Sequence, residues 1–458
     1  MSTNFLEQLR ANLGANAVAT DPTELQHWGR DWTRAFEPAP LAVVWPRDTA
    51  EVAFVVQACS EACVAIVPSG GRTGLAAGAV AARGELVLSL DRLRNVGPVD
   101  VLNRSVTVGA GVPNAVLQEA LAPHGLWWPV DLASKGSATI GGNLATNAGG
   151  LRVLRYGHAR NWVLGLEVVL ASGEMVRLGG ALHKDNSGYA LQQLLVGSEG
   201  TLGVITAATL ALAPLPGPSE VFVVGLRDFD AAARLFGALR SCSVTINAFE
   251  ALTDLCLTRV VTHTGLPRPL PTCAVYALCD VENPRGLDLA GWLAGLGDLV
   301  IDAVVATDRA QAERLWQYRE RITESLQPLR LHKNDVAVPV SAMAALAGEV
   351  SKWFAAHRPD WQVALFGHVG DGNLHVNALA PQHLSHEAWR AACADADRAL
   401  YALVATHGGS LSAEHGIGLL KKPYLGLTRD GAEVAQMRAV KRALDPANLL
   451  NPGKIFDL

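Results

Sequence analysis

The 458 residues predict an α+β protein built from more than one domain. Three observations carry that reading. At ~100–200 residues per domain the length implies two or three cores. Helical spacing and short β-like runs alternate, separated by glycine and proline. A proline-rich segment then interrupts the chain near its middle. In order, Asp48-Thr49-Ala50-Glu51 has the spacing of a capping box, and Val52, Val55, Val56, Cys59 and Cys63 follow at helical intervals. Residues 64–67 read as a strand that meets Pro68 and enters a glycine loop, and 85–90, 105–108, 162–170 and 202–212 read as further strands. The run Ala213-Pro214-Leu215-Pro216-Gly217-Pro218 marks the domain boundary, because successive prolines remove donors and stop both helix and sheet. Beyond it come a strand at 221–226, a helix at 229–239, a strand at 246–250, and helices over 310–326 and 342–357. The end is a double turn carrying Asn451 and Lys454, with Leu449, Leu450, Ile455 and Phe456 predicting that it docks onto a domain.

The net charge of −5, with 18% charged residues and no basic run, argues against nucleic acid, which is held by neutralising phosphates. The seven cysteines are odd in number and form no CxxC pair, so reduced thiols and a cytoplasmic location are expected. The first fourteen residues contain Glu7 and Arg10 but no apolar run, so no signal peptide is expected. The longest uncharged stretch, 201–219, holds three prolines and is no membrane span. Two residue types are unevenly spread. Of the 44 glycines, 23 fall in 70–203, and seven of the 13 histidines fall in 357–415. The first concentration serves close backbone approach to a ligand, and the second offers another candidate site.

The glycine-rich half has two prominent loops. One is Pro68-Ser69-Gly70-Gly71-Arg72-Thr73-Gly74-Leu75. The other runs from Asp131 through Ser134, Gly136, Thr139, Ile140, Gly141, Gly142 and Asn143 to Thr146, Asn147, Gly149 and Gly150. Paired glycines turn backbone N–H groups toward one anion, and Ser, Thr and Asn add donors, which suits a pyrophosphate. A third segment, 185–189, leads to Glu199, Gly200, Gly203, Val204 and Ile205. There is no GxxxxGK[ST] and no GxGxxG with a following acidic residue, so neither a P-loop nor a nicotinamide Rossmann site is supported. Together the three segments resemble the FAD-binding domain of the vanillyl-alcohol-oxidase/PCMH flavoproteins, and the resemblance runs on to Asn451-Pro452-Gly453-Lys454. It implies that these segments wrap FAD. No histidine stands in the first loop, where some members attach the flavin, so FAD is expected to be non-covalent. The implied layout is an N-terminal segment (1–36), a PCMH-type FAD-binding domain (37–216), an α+β substrate and metal domain (217–410), and a C-terminal segment (411–458) that completes the active site and packs on the FAD domain.

In the histidine-rich half, Asp371-Gly372 is the preferred centre of a two-residue type I′ hairpin, which would pair His368 with His375. Opposed Cβ atoms lie ~4.5–5.5 Å apart, close enough for one metal ion to bridge the two imidazoles. Asn377 projects from the same strand face. A third ligand is offered by Ser412-Ala413-Glu414-His415-Gly416-Ile417-Gly418, which holds a carboxylate and a histidine; both serve one site only if the backbone turns, as Gly416 permits. These two motifs also resemble the signature of flavin-dependent D-2-hydroxyacid dehydrogenases. The resemblance implies His368, His375 and Glu414 as ligands of a divalent cation, Zn2+ or Mn2+, and His415 as the base.

The segment 315–324 reads as a helix in which Arg319 and Thr323, at i and i+4, share a face, with Lys333 following after a loop. Arg, Thr and Lys together suit a carboxylate clamp. Within the resemblance these positions, with Asn377, hold the substrate, and a second anionic clamp favours a diacid: D-2-hydroxyglutarate, with D-malate as a second substrate. The implied reaction is hydride transfer to FAD N5, with electrons leaving to an electron-transfer flavoprotein or a quinone, from a homodimer as is typical of the family. D-lactate or glycolate oxidation is the alternative within the family. A metal-dependent hydrolase and a non-catalytic flavin subunit are the alternatives outside it.

Overall fold

A computed structural model describes residues 2–283 and 285–458. The chain forms two compact units. One comprises residues 1–150, 156–215 and 414–458, and the other residues 151–155 and 216–413. The division at Leu215/Pro216 falls inside the proline-rich segment, whereas the excursion of Leu151–Arg155 into the second unit has no counterpart in the sequence reading. Among the described residues no helix is long and apolar enough to cross a membrane.

The first unit contains two four-stranded sheets. In one, β1 (Val18–Ala19), β2 (Ala42–Val44), β4 (Leu86–Ser89) and β3 (Ile66–Ser69) lie in that order, with β2, β4 and β3 parallel. The helix Thr49–Ala62 begins as expected, with Asp48 Oδ1 accepting from Glu51 N–H at 2.8 Å. The Glu51 carboxylate, however, reaches back to the N–H of Arg47 and not to that of Asp48. The helix ends at Cys63, which adopts a left-handed conformation (φ 54°). Its apolar stripe, Val52, Val55, Val56 and Cys59, packs in one core with Phe5, Leu9 and Leu13 of the helix Ser2–Leu13. The segment 1–36 is therefore part of this unit's core. The second sheet is wholly antiparallel, in the order β5 (Ser105–Gly109), β8 (Val204–Ala211), β6 (Val163–Val169), β7 (Met175–Gly179). The C-terminal turn docks beside β3: Ile66 N–H donates to Leu449 O at 2.8 Å and Asn451 N–H donates to Ile66 O at 2.7 Å. The turn is pinned by a buried knot in which Lys441 Nζ donates to Asp445, to Thr201 O (2.7 Å) and to Leu450 O (2.8 Å), while Asp445 accepts from Leu449 and Leu450 N–H.

The second unit is built on one seven-stranded antiparallel sheet, in the order β12 (Asp302–Val305), β9 (Glu220–Leu226), β11 (Val275–Glu282), β10 (Thr245–Thr253), β14 (Gln362–Gly367), β15 (Asn373–Leu379), β13 (Leu331–Ala337). Helices Asp254–Thr264, Arg309–Glu320 and Ile322–Leu326 share an apolar core with one face of this sheet, through Leu252, Tyr276, Leu278, Ala364 and Phe366. The other face carries His332 and Asn334, which bond to Asp397 of the helix His386–Thr406 at 2.6 and 2.7 Å. The short segment Leu151–Arg155 is held by charge: Arg155 donates to Asn247 and Glu282, and Arg152 lies 3.8 Å from buried Asp280.

Two local expectations are corrected. Phe366, not His368, opposes His375 in the β14–β15 register. Strand β14 stops at Gly367, and residues 368–372 form a longer connection containing a 3-10 turn at Val369–Asp371. Tertiary packing overrides the preference of Asp-Gly for a two-residue turn: a Cβ on Gly370 would lie 2.9 Å from Leu154 and Phe249, and one on Gly372 (φ 91°) 2.2 Å from Val338 O. The expected helix 310–326 is divided at Arg321 into Arg309–Glu320 and Ile322–Leu326, with Arg319 buried and Thr323 exposed.

Candidate active site

In the first unit the glycine-rich loops meet backbone to backbone. A Cβ on Gly71 would lie 2.0 Å from Ser137 O, and one on Gly70 2.5 Å from Thr139 Oγ1. No larger residue fits at either position without moving a neighbour. Between the loops lies a cavity of about 970 Å³, counting its open mouth. Pro68, Ser69, Gly70, Gly71, Arg72, Thr73, Gly74, Thr139, Gly141, Gly142, Asn143, Thr146, Glu199, Gly200, Gly203, Val204, Ile205 and His415 line it. Ala76, Gly78, Ala79, Leu90, Ala110 and Ala145 do so as well; these residues have no polar side-chain group and carry no chemical signal for motif reading. Ser69 Oγ is buried in the wall with no hydrogen-bond partner among the described residues, which leaves a donor for a ligand. A glycine-lined cavity with an unpaired hydroxyl fits the pyrophosphate-bearing FAD.

The remaining expected FAD residues act around the cavity and not in its wall. Ile140 is core. Asn147, at φ 52°, closes the helix Ile140–Thr146. Ser134 O accepts from the N–H groups of Ser137 and Ala138 in a turn that includes Gly136, and Leu75 is half-buried beside the first loop. Asp131 lines a separate cavity with Asn114, Gln118 and Trp127. Gly150 (φ 120°), next to Gly149, has room for no Cβ, which would lie 2.2 Å from Asp131 O. Asn451 Nδ2 donates to Gly78 O and Glu199 O at 2.9 and 2.7 Å, and Lys454 Nζ donates to Val80 O, so both brace the wall from behind. Burial pulls the Lys454 ammonium down to about 8.

His415 reaches the cavity because the chain turns at Gly416 (φ 77°). Glu199 secures that turn: its two carboxylate oxygens accept the N–H groups of Ile417 (2.7 Å) and Gly418 (2.8 Å). Burial raises the Glu199 carboxyl pKa, opposed by those two bonds. Glu414 accepts from Gly150 N–H at 3.0 Å. Arg72 stacks its guanidinium 3.7 Å over Trp28 and contacts His27 Nε2 at 3.0 Å.

The second unit gathers a polar cluster on one face of its sheet. His368 and His375 stand edge to face, with centroids 5.6 Å apart, although they are not register partners. His368 Nδ1 lies 2.6 Å from Glu250 Oε1, and Arg319 Nε donates to Glu250 Oε2 at 2.6 Å. Burial would raise the Glu250 carboxyl, but the neighbouring His368 ring and Arg319 guanidinium outweigh it and hold the group down at about 2. Arg319 Nη2 sits 3.5 Å from His368 Nε2. On the neighbouring strands Asp335 opposes His375 and Lys333 opposes Asn377, so all four share a face. Burial pulls Lys333 down to about 8. The cluster thus brings together His368, His375, Arg319, Lys333 and Asn377, and Thr323 is exposed. Sequence reasoning missed Glu250 and Asp335. Asp335 was findable by strand alternation from Lys333, whereas nothing in the spacing marks Glu250. Two imidazoles with nearby carboxylates are a donor set suited to a divalent cation.

A glycine-lined cavity that fits FAD in one unit, and a polar cluster on an antiparallel sheet in the other, point to a flavin-dependent oxidoreductase of the p-cresol methylhydroxylase fold. Comparison with known proteins agrees. Residues 215–455 match the family of FAD linked oxidases, C-terminal domain, and 40–179 match the FAD binding domain. The chain is 45% identical over 457 residues to a D-2-hydroxyglutarate dehydrogenase of Xanthomonas citri pv. viticola, covering 98% of this chain and 96% of that one. It is 38% identical over 458 residues to a D-2-hydroxyglutarate dehydrogenase of Stutzerimonas stutzeri, covering 99% and 98%. The solved p-cresol methylhydroxylase superposes with a TM-score of 0.77 at 18% identity, over 99% of this chain and 97% of that one. The chain belongs to the FAD-dependent D-2-hydroxyacid dehydrogenases among the FAD-linked oxidases.

Proposed function

We propose that this enzyme oxidises D-2-hydroxyglutarate to the 2-oxoacid, with D-malate as a second substrate, and passes the electrons to an external acceptor such as an electron-transfer flavoprotein or a quinone. The observation that carries the substrate class is the cluster of Arg319, Lys333, Asn377 and two imidazoles on one sheet face; the names of the relatives at 45% and 38% identity support the same acid. A monoacid occupies one anionic contact, whereas a diacid uses two. The N–H groups of Arg319 not engaged by Glu250 bind one carboxylate as part of a planar fork, and the Lys333 ammonium and Asn377 amide orient the substrate.

Bound FAD, held without a covalent link, supplies the acceptor for the hydride that leaves the hydroxyl-bearing carbon. A divalent cation, Zn2+ or Mn2+, supplies Lewis-acid polarisation of that hydroxyl. His368 and His375 offer it imidazole nitrogens; Glu414 is assigned as the third ligand on the Ser-Ala-Glu-His motif. His415 takes the hydroxyl proton, and the Gly416 turn and the Glu199 carboxylate keep its segment in place. The seven free thiols support a cytoplasmic location.

The test is a panel of D- and L-hydroxyacids with an artificial electron acceptor, with and without added Zn2+ or Mn2+. The purified protein is expected to be yellow, to bleach with D- but not L-2-hydroxyglutarate, and to lose turnover to a chelator. Preference for D-lactate or glycolate would replace the diacid by a monoacid. Colourless folded protein would overturn the flavin assignment, and turnover indifferent to chelation would remove the cation.

A further inference from the structure

We propose that Glu250 and Asp335 are positioning residues that hold His368 and His375 with Nδ1–H toward a buried carboxylate and Nε2 toward a divalent cation. The inference rests on the cation reading above and adds what the two ligands need in order to bind well.

A neutral imidazole carries one N–H and one lone pair, and whichever nitrogen donates decides which one ligates. At His368 the Nδ1 lies 2.6 Å from Glu250 Oε1, and at His375 the Nδ1 lies 3.4 Å from Asp335 Oδ1. Both carboxylates are almost fully buried, at 1% and 0% exposure. The two arrangements are built independently. Glu250 comes from β10, 118 residues from His368 in the chain, and Asp335 is the register partner of His375 across β13 and β15. Each carboxylate is itself held: Glu250 by Arg319 through its other oxygen, and Asp335 by Asn373 Nδ2 at 2.7 Å. Carboxylates that orient metal-binding histidines in this way typically control metal affinity by 10–100-fold. Glu250 has a second consequence, because the oxygen not facing His368 fixes Arg319. One carboxylate therefore sets both a cation ligand and a substrate-clamping guanidinium.

The competing description is a pair of structural ion pairs, in which each imidazole is doubly protonated and offers no lone pair. The experiment uses the flavin-loaded protein, stripped by chelator and titrated calorimetrically with Zn2+ and Mn2+, together with 15N spectra of labelled histidine at pH 8. Expected are one equivalent bound by the wild type, no binding by His368→Ala or His375→Ala, and 10–100-fold weaker binding by Glu250→Gln and Asp335→Asn with flavin content intact. The spectra should show Nδ1–H neutral rings at both positions before the cation is added. Glu250→Gln should also raise KM for the diacid, and Asp335→Asn should not. Unchanged cation affinity in both carboxylate variants, or doubly protonated or Nε2–H rings, would overturn the positioning role while the histidine variants still report a cation site. A wild type that takes no cation, or histidine variants that bind normally, would overturn the cation reading and this proposal with it. Should Glu250→Gln fail to fold, Asp335→Asn and the wild-type spectrum carry the test.

Discussion

Lys441→Met tests how the C-terminal turn is held against the cavity-bearing unit. The ammonium is 2% exposed and makes three bonds, to Asp445, Thr201 O and Leu450 O. Methionine replaces the stem volume, so no cavity opens, but Asp445, at 0% exposure, keeps only the Leu449 and Leu450 N–H groups against its charge. Removing one partner of a buried pair costs about 3–5 kcal/mol, and the two carbonyls add a fraction of ~1 kcal/mol each. At roughly 2–4 °C per kcal/mol for a unit of this size, Tm should fall by about 8–24 °C. The assay is thermal and urea unfolding followed by circular dichroism, with flavin release recorded alongside. The double variant Lys441→Met/Asp445→Asn removes the stranded charge and should recover part of the loss, giving a coupling of roughly 1–3 kcal/mol. It should not recover all of it, because an amide satisfies only one of the two N–H groups well. A single variant within 1 kcal/mol of the wild type, or strictly additive losses, would refute the reasoning.

Gly71→Ala places a Cβ 2.0 Å from Ser137 O, and overpacking of about 1–3 kcal/mol should weaken FAD binding by roughly tenfold or more, read as flavin retained through gel filtration; full retention would mean that the loops are not held in contact. Lys333 is a cation below its pKa of about 8 and neutral above it, so kcat/KM for the diacid should fall as pH rises through about 8, and Lys333→Met should raise KM roughly 10–150-fold at pH 7, the loss expected for one charged hydrogen bond. Burial alone would lower the pKa of His332, but its bonds to Asp397 and Cys393 lift it to about 10 from an ordinary 6.5. Its stabilising contribution is therefore complete below pH 6.5 and is lost as pH rises toward 10, by up to ~1.4 kcal/mol per unit, so His332→Gln should flatten the stability–pH curve over that window.

Legibility differed by element in ways that follow from range. The helix over Thr49–Ala62 and the strand Ser105–Gly109 were readable because capping chemistry and apolar periodicity are local. The glycine loops were readable because backbone-to-backbone contact excludes every side chain but hydrogen, and that constraint leaves paired glycines in the sequence. The hairpin at Asp371-Gly372 misled because its turn is decided by Val338 and Phe249, far away in the chain, against the local preference. Arg319 is legible as a charged residue on a helix, but its partner is not: Glu250 lies 69 residues distant in the chain. Strand Leu331–Ala337 is not legible as a strand because its alternation is polar on both faces, with Lys333 and Asp335 serving the cluster and His332 and Asn334 serving a helix.

The detour of Leu151–Arg155 bears on how this protein can be cut and recombined. The second unit is not a contiguous insert, since the stretch 216–413 lacks a pentapeptide that lies some sixty residues upstream. Expressed alone, that stretch would lose the guanidinium groups of Arg152 and Arg155, leaving Glu282 and buried Asp280 short of countercharge. A chimera that grafts the second unit of one relative onto the first unit of another must therefore carry residues 151–155 with the graft, or inherit a five-residue strap matched to the wrong sheet. Protease nicks at the proline-rich boundary and near residue 413 would likewise fail to free the unit, because a third stretch of chain still threads through it.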